Sequence, residues 1–210
     1  MSEHYKTVLL FGPPGAGKGT QGKIIAQIPG FFHVSTGEIF RNLDVTSDVG
    51  KLFYQYSSRG ELVPDDITIR IWSQHVYACT ILGLYKPKQD IMILDGLPRS
   101  VNQATLLYRY IEPLMVIHLV VKEKEAMWER LRKRALKENR IDDAKEEVIR
   151  KRWDVYERET FPVLNFYPKA IVREVDAMGS PAAVLNKTLD CLVPVQNEHF
   201  KNPLGPGVAR

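Results

Sequence analysis

The chain of 210 residues contains little cysteine, since Cys79 and Cys191 are its only two. Two cysteines are too few for a disulfide framework or for a zinc site with four cysteine ligands. No apolar run approaches the roughly 18 residues of a membrane span, and the N-terminus lacks a basic region followed by an apolar stretch and a cleavage site. These absences predict a cytoplasmic protein with no structural zinc and no membrane contact.

The chain also lacks a block of charge of one sign. Its net charge is only +4, and the charged stretch of residues 122–158 mixes both signs at helical spacing, as in Glu146 with Arg150. Nucleic-acid-binding faces usually carry unopposed lysine and arginine. The pattern therefore predicts a solvated helix face and no nucleic-acid partner.

Short apolar runs recur along the chain and are too short for helices. They predict buried strands at residues 7–11, 32–34, 91–94, 115–121 and 170–175. Stretches with helical periodicity lie between them, and this alternation is typical of a parallel sheet covered by helices on both faces. We therefore predict a three-layer α/β fold with a five-stranded parallel sheet.

Some segments fall outside the strand and helix alternation. Residues 35–64 are long for a crossover and predict a small helical insertion, and residues 136–143 form an irregular piece between two charged helices. Prolines and glycines from Pro194 onward predict an extended or flexible tail over residues 194–210.

A glycine-rich loop from Gly12 to Thr20 follows the first predicted strand and opens a helix. Its glycines let successive N–H groups point at phosphate oxygens, while the helix N-terminus and Lys18 add positive charge. The alternative is a bare glycine-rich turn with a chance lysine. The hydroxyl residue that usually follows the lysine is replaced by Gly19, with Thr20 one position later, which argues against direct magnesium binding by this loop.

The third strand ends in Asp95, which is followed by Gly96, Leu97, Pro98 and Arg99. A carboxylate at a strand carboxyl end can hold Mg²⁺ through its water shell, and the alternative is a helix N-cap. The turn aims Arg99, whose planar guanidinium suits phosphate.

Helical phase singles out one arginine in residues 144–159. At about 100° per residue, Arg152 falls on the apolar face, whereas Arg150 and Lys151 point elsewhere. The apolar residues of that face are Val148, Ile149, Trp153 and Tyr156. An arginine in an apolar stripe either pairs with a buried carboxylate or faces a ligand site, and we favour the ligand site.

Taken together, the motifs resemble the adenylate kinase family of nucleoside monophosphate kinases in its short-lid form. They match in order and spacing over residues 6 to about 190. The motifs are Gly17-Lys18-Gly19-Thr20-Gln21, Ser35-Thr36-Gly37-Glu38-Ile39-Phe40-Arg41, Gly60-Glu61-Leu62-Val63-Pro64, Asp95-Gly96-Leu97-Pro98-Arg99 and Arg140-Ile141-Asp142-Asp143.

The resemblance implies a P-loop fold divided into a core (1–34, 65–132 and 144–193), an NMP-binding insertion (35–64) and a short lid (133–143). It implies that ATP is bound by Gly15, Ala16, Gly17, Lys18, Gly19, Thr20, Arg130, Arg134 and Gly179. It implies that AMP is bound by Thr36, Arg41, Glu61, Leu62, Val63, Gly96, Arg99, Gln103, Arg140 and Arg152. Catalysis would fall to Lys18, Arg99, Arg134, Arg140 and Arg152, with Mg²⁺ at Asp95.

The resemblance also implies a monomeric kinase that catalyses reversible, Mg²⁺-dependent transfer from ATP to AMP for adenine nucleotide homeostasis. Gln103 supports AMP because a glutamine amide offers one donor and one acceptor to adenine. A UMP/CMP kinase is the runner-up, and Asn102 keeps it open. A non-catalytic nucleotide-binding scaffold is the alternative from another class. A GTPase is excluded because Asn186-Lys187 has Leu189 where the guanine-binding aspartate belongs.

Overall fold

A computed structural model describes residues 4–138 and 145–200 and shows one sheet of five parallel strands. The strand order is β2-β3-β1-β4-β5, and every neighbouring pair is parallel. The predicted fold class is thereby confirmed. The strands are β1 Tyr5–Phe11, β2 Phe31–Ser35, β3 Ile91–Asp95, β4 Ile111–Val120 and β5 Val172–Asp176.

Helices connect the strands and cover the sheet. They are α1 Lys18–Ile25, α2 Thr36–Arg41, α3 Asp48–Ser57, α4 Asp65–Ile81, α5 Val101–Leu107, α6 Lys124–Glu138, α7 Glu146–Val155 and α8 Pro181–His199. A π-helical turn, Tyr156–Thr160, and two 3₁₀ segments, Phe161–Phe166 and Lys169–Ile171, lie between α7 and β5. Among the described helices, none is both long and apolar enough to cross a bilayer.

Two apolar layers attach helices to opposite faces of the sheet. On one face Leu9 and Leu94 belong to a core with Trp72 of α4, and on the other Val8 belongs to a core with Leu192 of α8. Adjacent residues of β1 thus point to opposite faces, as the period of a strand requires. Because both faces are buried, the strands appear in the sequence as continuous apolar runs.

Strand register aligns the loops that carry the chemistry. Asp95 at the end of β3 pairs with Leu10 of β1 on one side and with Ser35 of β2 on the other. The loops that leave these strands therefore meet at one edge of the sheet, which we call the carboxyl edge. Ligands of parallel α/β sheets bind at this edge.

The predicted insertion, 35–64, begins at Ser35, the last residue of β2, and contains α2 and α3. The rings of Phe40 and Phe53 stack with their centroids 5.2 Å apart and hold the two helices together. The predicted lid, 133–143, overlaps α6, so residues 136–138 are helical and not irregular as predicted. Residues 139–144 lie outside the described part.

The structure corrects the predicted start of the tail, which falls inside α8. This helix continues through Pro194 to His199. Proline removes one backbone hydrogen bond, but tertiary contacts hold the last turns. Gln196, for example, donates from Nε2 to the Pro29 carbonyl at 2.9 Å. Composition does not encode such contacts. Residues from 201 onward lie outside the described part.

Candidate functional site

The loop between β1 and α1 folds tightly at the carboxyl edge. Gly12 and Gly15 adopt φ angles of 147° and 87°, which disfavour any residue with a side chain. An ideal Cβ would also lie 2.9 Å from the Leu119 carbonyl oxygen at Gly12 and 3.0 Å from the Met127 carbonyl oxygen at Gly15. Since α1 begins at Lys18, its free N–H groups face the same space. The loop therefore has the geometry of an anion cradle.

The side chain of Lys18 curls over this loop. Its Nζ donates to the carbonyl oxygens of Gly12 at 2.6 Å and Pro13 at 3.1 Å. Burial lowers the pKa of Lys18 from its ordinary 10.5 to about 8; the Asp95 carboxylate opposes this shift, and neighbouring arginines add to it. An anion bound in the loop would favour the charged form of Lys18 and raise this pKa again.

From this pKa we expect Lys18 to make the ligand-free protein more stable as pH rises from about 8 to 10.5. In that window the unfolded chain still binds the proton that the folded protein has released, so this contribution to the free energy of unfolding increases with pH. Denaturant titrations of wild type and Lys18→Met at several pH values isolate the effect from other titrating groups. A difference between the two proteins that stays constant with pH would contradict the lowered pKa.

Asp95 directs its carboxylate toward the phosphate loop. An ideal Cβ on Gly19 would lie 3.5 Å from Asp95 Oδ2, and His33 Nε2 lies 3.9 Å from the same oxygen. Burial lowers the pKa of His33, so this imidazole is neutral near pH 7. The N-cap alternative for Asp95 is wrong, because Ser100 caps α5 and accepts from the Gln103 N–H at 3.0 Å.

Two cavities open at the carboxyl edge. The loop cavity lies over the phosphate loop and is bordered by Arg130, Arg134 and Gly179. The insertion cavity lies among α2, residues 60–63 and the start of α5. Among the described residues, the cations that line both cavities, which we call the shared cations, are Lys18, Arg41, Arg99 and Arg152. Anionic groups bound in the two cavities would thus meet at one cluster of positive charge.

The cavities bring together all the described residues that were predicted to bind nucleotides or metal. The loop cavity is lined by Gly15, Ala16, Gly17, Lys18, Gly19, Thr20, Asp95, Arg130, Arg134 and Gly179. The insertion cavity is lined by Thr36, Arg41, Glu61, Leu62, Val63, Gly96, Arg99, Gln103 and Arg152. Arg140 lies outside the described residues, and its role stays a prediction.

Helix α7 places two nearby arginines in different surroundings. Arg152 lines both cavities and packs on the insertion, where an ideal Cβ on Gly60 would lie 3.2 Å from Arg152 Cγ. Arg150 is exposed, donates to Glu146 at 2.8 Å and lies 4.8 Å from the centroid of the Trp128 ring. The inward and outward faces are those that helical phase predicts.

The helix that carries Arg152 is shorter than the predicted 144–159, because it ends at the π-helical turn. Tertiary hydrogen bonds hold this turn. The Tyr156 hydroxyl lies 3.0 Å from His118 Nε2, and the Thr160 hydroxyl donates to the Arg99 carbonyl at 2.9 Å. The partners are distant in sequence, so the apolar period could not reveal the change of helix type.

Gln103 is only 1% exposed, and both ends of its amide are engaged. Its Oε1 accepts from the Arg99 N–H at 2.7 Å, and its Nε2 donates to Asp65 Oδ1 at 2.8 Å. One lone pair and one N–H of the amide remain for a ligand. Asn102, which kept the pyrimidine alternative open, lines neither cavity and donates to Asp65 Oδ2 at 2.9 Å.

Several cavity residues were not predicted as site residues. Phe40, Phe53 and Tyr156 line the insertion cavity, and Gln21 lines the loop cavity. Gln21 is buried and donates from Nε2 to the Pro181 carbonyl at 3.0 Å. Phe40 and Gln21 lie within the motifs that resemble the adenylate kinase family, so the sequence could have indicated them. Phe53 lies in no motif, and Tyr156 was indicated only as part of an apolar face.

The sequence of this chain is similar to those of known proteins over most of its length. The family model described as "Adenylate kinase" matches residues 10–172. An adenylate kinase of Thermobifida fusca is 38% identical over 192 residues, covering 88% of this chain and 97% of the relative. One of Thermus thermophilus is 34% identical over 85% of this chain and 92% of the relative. Adenylate kinase isoenzyme 1 of Gallus gallus is 34% identical over 90% of this chain and 95% of the relative. The family match and the near full-length relatives show that the chain belongs to the adenylate kinase family.

Proposed function

We propose that this protein is a phosphotransferase that catalyses the reversible reaction ATP + AMP = 2 ADP. The observation that carries the proposal is the pair of cavities that meet at the shared cations. Phosphoryl transfer between two nucleotides brings several negative charges together, and cations must compensate for them. ATP would occupy the loop cavity, with its phosphates on the glycine-rich loop, and AMP would occupy the insertion cavity.

The arrangement can accelerate transfer without a general base. The attacking AMP phosphate oxygen is already ionised at pH 7, so no proton has to be removed from it. The shared cations would instead hold the two phosphate chains close and stabilise the charge of the transition state. Arg134, and Arg140 as proposed from the resemblance, would add to this charge from the lid side.

Adenylate kinases are generally Mg²⁺-dependent, and the residues of the site fit this ion. Mg²⁺ retains several waters and is usually bound by one or two carboxylates together with substrate phosphates. Asp95 offers one carboxylate, mostly buried and directed toward the phosphate loop. Within the described ranges, no cluster of three or more His, Cys, Asp or Glu could hold an ion without substrate. Bound with ATP, Mg²⁺ would neutralise phosphate charge.

Water is the competing acceptor of the phosphoryl group. Closure of the insertion, residues 35–64, and of the lid, residues 133–143, over both nucleotides would exclude water and protect ATP from hydrolysis. We further propose that the enzyme acts as a monomer in the cytoplasm. The monomer is what the resemblance to the short-lid adenylate kinases implies.

The test is ADP formation from ATP and Mg²⁺ by the purified protein, with AMP, CMP and UMP compared as acceptors. We expect AMP to react fastest because the free positions of the Gln103 amide match adenine. Lys18→Met, purified in the same way, controls for contaminating kinases. Faster turnover with CMP or UMP would favour the pyrimidine kinase, and binding of ATP and AMP without ADP formation would favour the scaffold.

A further inference from the structure

The carboxylate of Asp65 lies outside the residues assigned to either nucleotide, yet it accepts three hydrogen bonds. Oδ1 accepts from Gln103 Nε2 at 2.8 Å, and Oδ2 accepts from the Ser100 hydroxyl and from Asn102 Nδ2, both at 2.9 Å. Asp65 is also the first residue of α4, where the helix dipole favours a negative charge.

From these contacts we infer that Asp65, together with the Arg99 N–H, fixes the orientation of the Gln103 amide and thereby selects 6-amino over 6-oxo purine monophosphates as acceptors. The inference rests on the proposed function and extends it to a specificity-determining positioning residue. Asp65 itself would not touch the substrate.

The orientation of a glutamine amide is set by what its neighbours can donate or accept. A carboxylate only accepts, so the amide nitrogen of Gln103 must face Asp65. A backbone N–H only donates, so the amide oxygen must face Arg99. After a 180° rotation, the amide oxygen of Gln103 would face the Asp65 carboxylate, and its NH₂ group would face the Arg99 N–H. Neither pair could form a hydrogen bond. Leaving buried polar groups unpaired in this way is costly.

The locked amide presents a lone pair and an N–H in a fixed order to the insertion cavity. Adenine has a donor at C6, its amino group, beside a ring nitrogen that accepts. Hypoxanthine reverses both roles, with a carbonyl at C6 beside a ring N–H. A site built for one hydrogen-bond pattern rejects the reversed pattern strongly, because its own polar groups are then left unpaired. A freely rotating amide could match either base.

The central test replaces Asp65 with asparagine, which has nearly the same shape but can donate as well as accept. With saturating ATP, kcat and KM are measured for AMP and for IMP, whose base is hypoxanthine. We expect Asp65→Asn to lower the AMP:IMP ratio of kcat/KM by about tenfold or more, mainly through KM, while KM for ATP changes less than about twofold. An unchanged ratio in the folded variant would overturn the inference.

Asn102→Ala is the matched control. It removes a hydrogen bond from the same carboxylate but leaves Oδ1 and Gln103 untouched, so the AMP:IMP ratio should stay within about twofold of wild type. Melting temperatures of both variants are compared. A merely structural Asp65 would change stability and leave the ratio alone, and this outcome would also overturn the inference.

Gln103→Met provides a second test that keeps Asp65 intact. Because it removes the oriented amide, most of the preference for AMP over IMP should disappear. Retention of the full preference in this variant would contradict the inference, even if Asp65→Asn failed to fold. Wild-type protein that phosphorylates no AMP would refute the proposed function itself, whereas active wild type with an unaltered ratio in the variants would refute only the role of Asp65.

Discussion

Arg152→Ala should lower kcat by a factor of about 10² to 10⁴, while Arg150→Ala should leave kcat within about twofold of wild type. Arg152 is one of the shared cations, so its loss removes a charge that would meet the transferred phosphoryl group. Arg150 faces solvent and contacts Glu146 and Trp128. These surface contacts add a little stability and no charge at the site. Steady-state assays with both nucleotides measure the difference.

The same pair of variants separates catalysis from folding. Melting temperatures show whether Arg152→Ala is folded at the assay temperature, since an arginine that only stabilised the protein would reveal its loss as early unfolding. A variant that melts much earlier than wild type, yet turns over normally where it is folded, would show that Arg152 is structural. Loss of activity by Arg150→Ala would show that the outer face of α7 takes part.

Lys18→Met should lower kcat by about 10² or more, because it removes a preorganised positive charge from the phosphate loop. The contacts of Nζ with the Gly12 and Pro13 carbonyls hold this charge where the phosphates would bind. Burial opposes the charged form of Lys18, so its replacement by an apolar side chain should not lower the melting temperature of the ligand-free protein. Lys18→Met should therefore lose activity without losing thermal stability.

Single-turnover measurements give the sharpest test of Lys18 because they follow the chemical step without product release. Arg150→Ala serves as a control for the general effect of removing one cation from the protein. Single-turnover rates of Lys18→Met within a few-fold of wild type would contradict the role of the loop in holding phosphate.

Features that depend on short-range pattern could be predicted from the sequence. The strands are buried on both faces, so each appears as an apolar run, and Arg152 is placed by the phase of its helix alone. The contacts of Asp65 with Ser100, Asn102 and Gln103 could not be predicted, because the carboxylate and its partners are brought together only by packing of α4 against α5. Continuation of α8 beyond Pro194 likewise depends on contacts that composition does not contain.

The shared cations also make the two binding equilibria of this protein interdependent. An anion that reaches Lys18, Arg41, Arg99 or Arg152 from one cavity lowers the positive potential available to the other. By linkage, this electrostatic part of the coupling is the same in both directions. Inorganic phosphate or sulfate in a buffer should therefore compete with both nucleotides at once, beyond the general screening by salt. Dissociation constants for ATP and AMP are comparable only when the buffer anion and its concentration are the same.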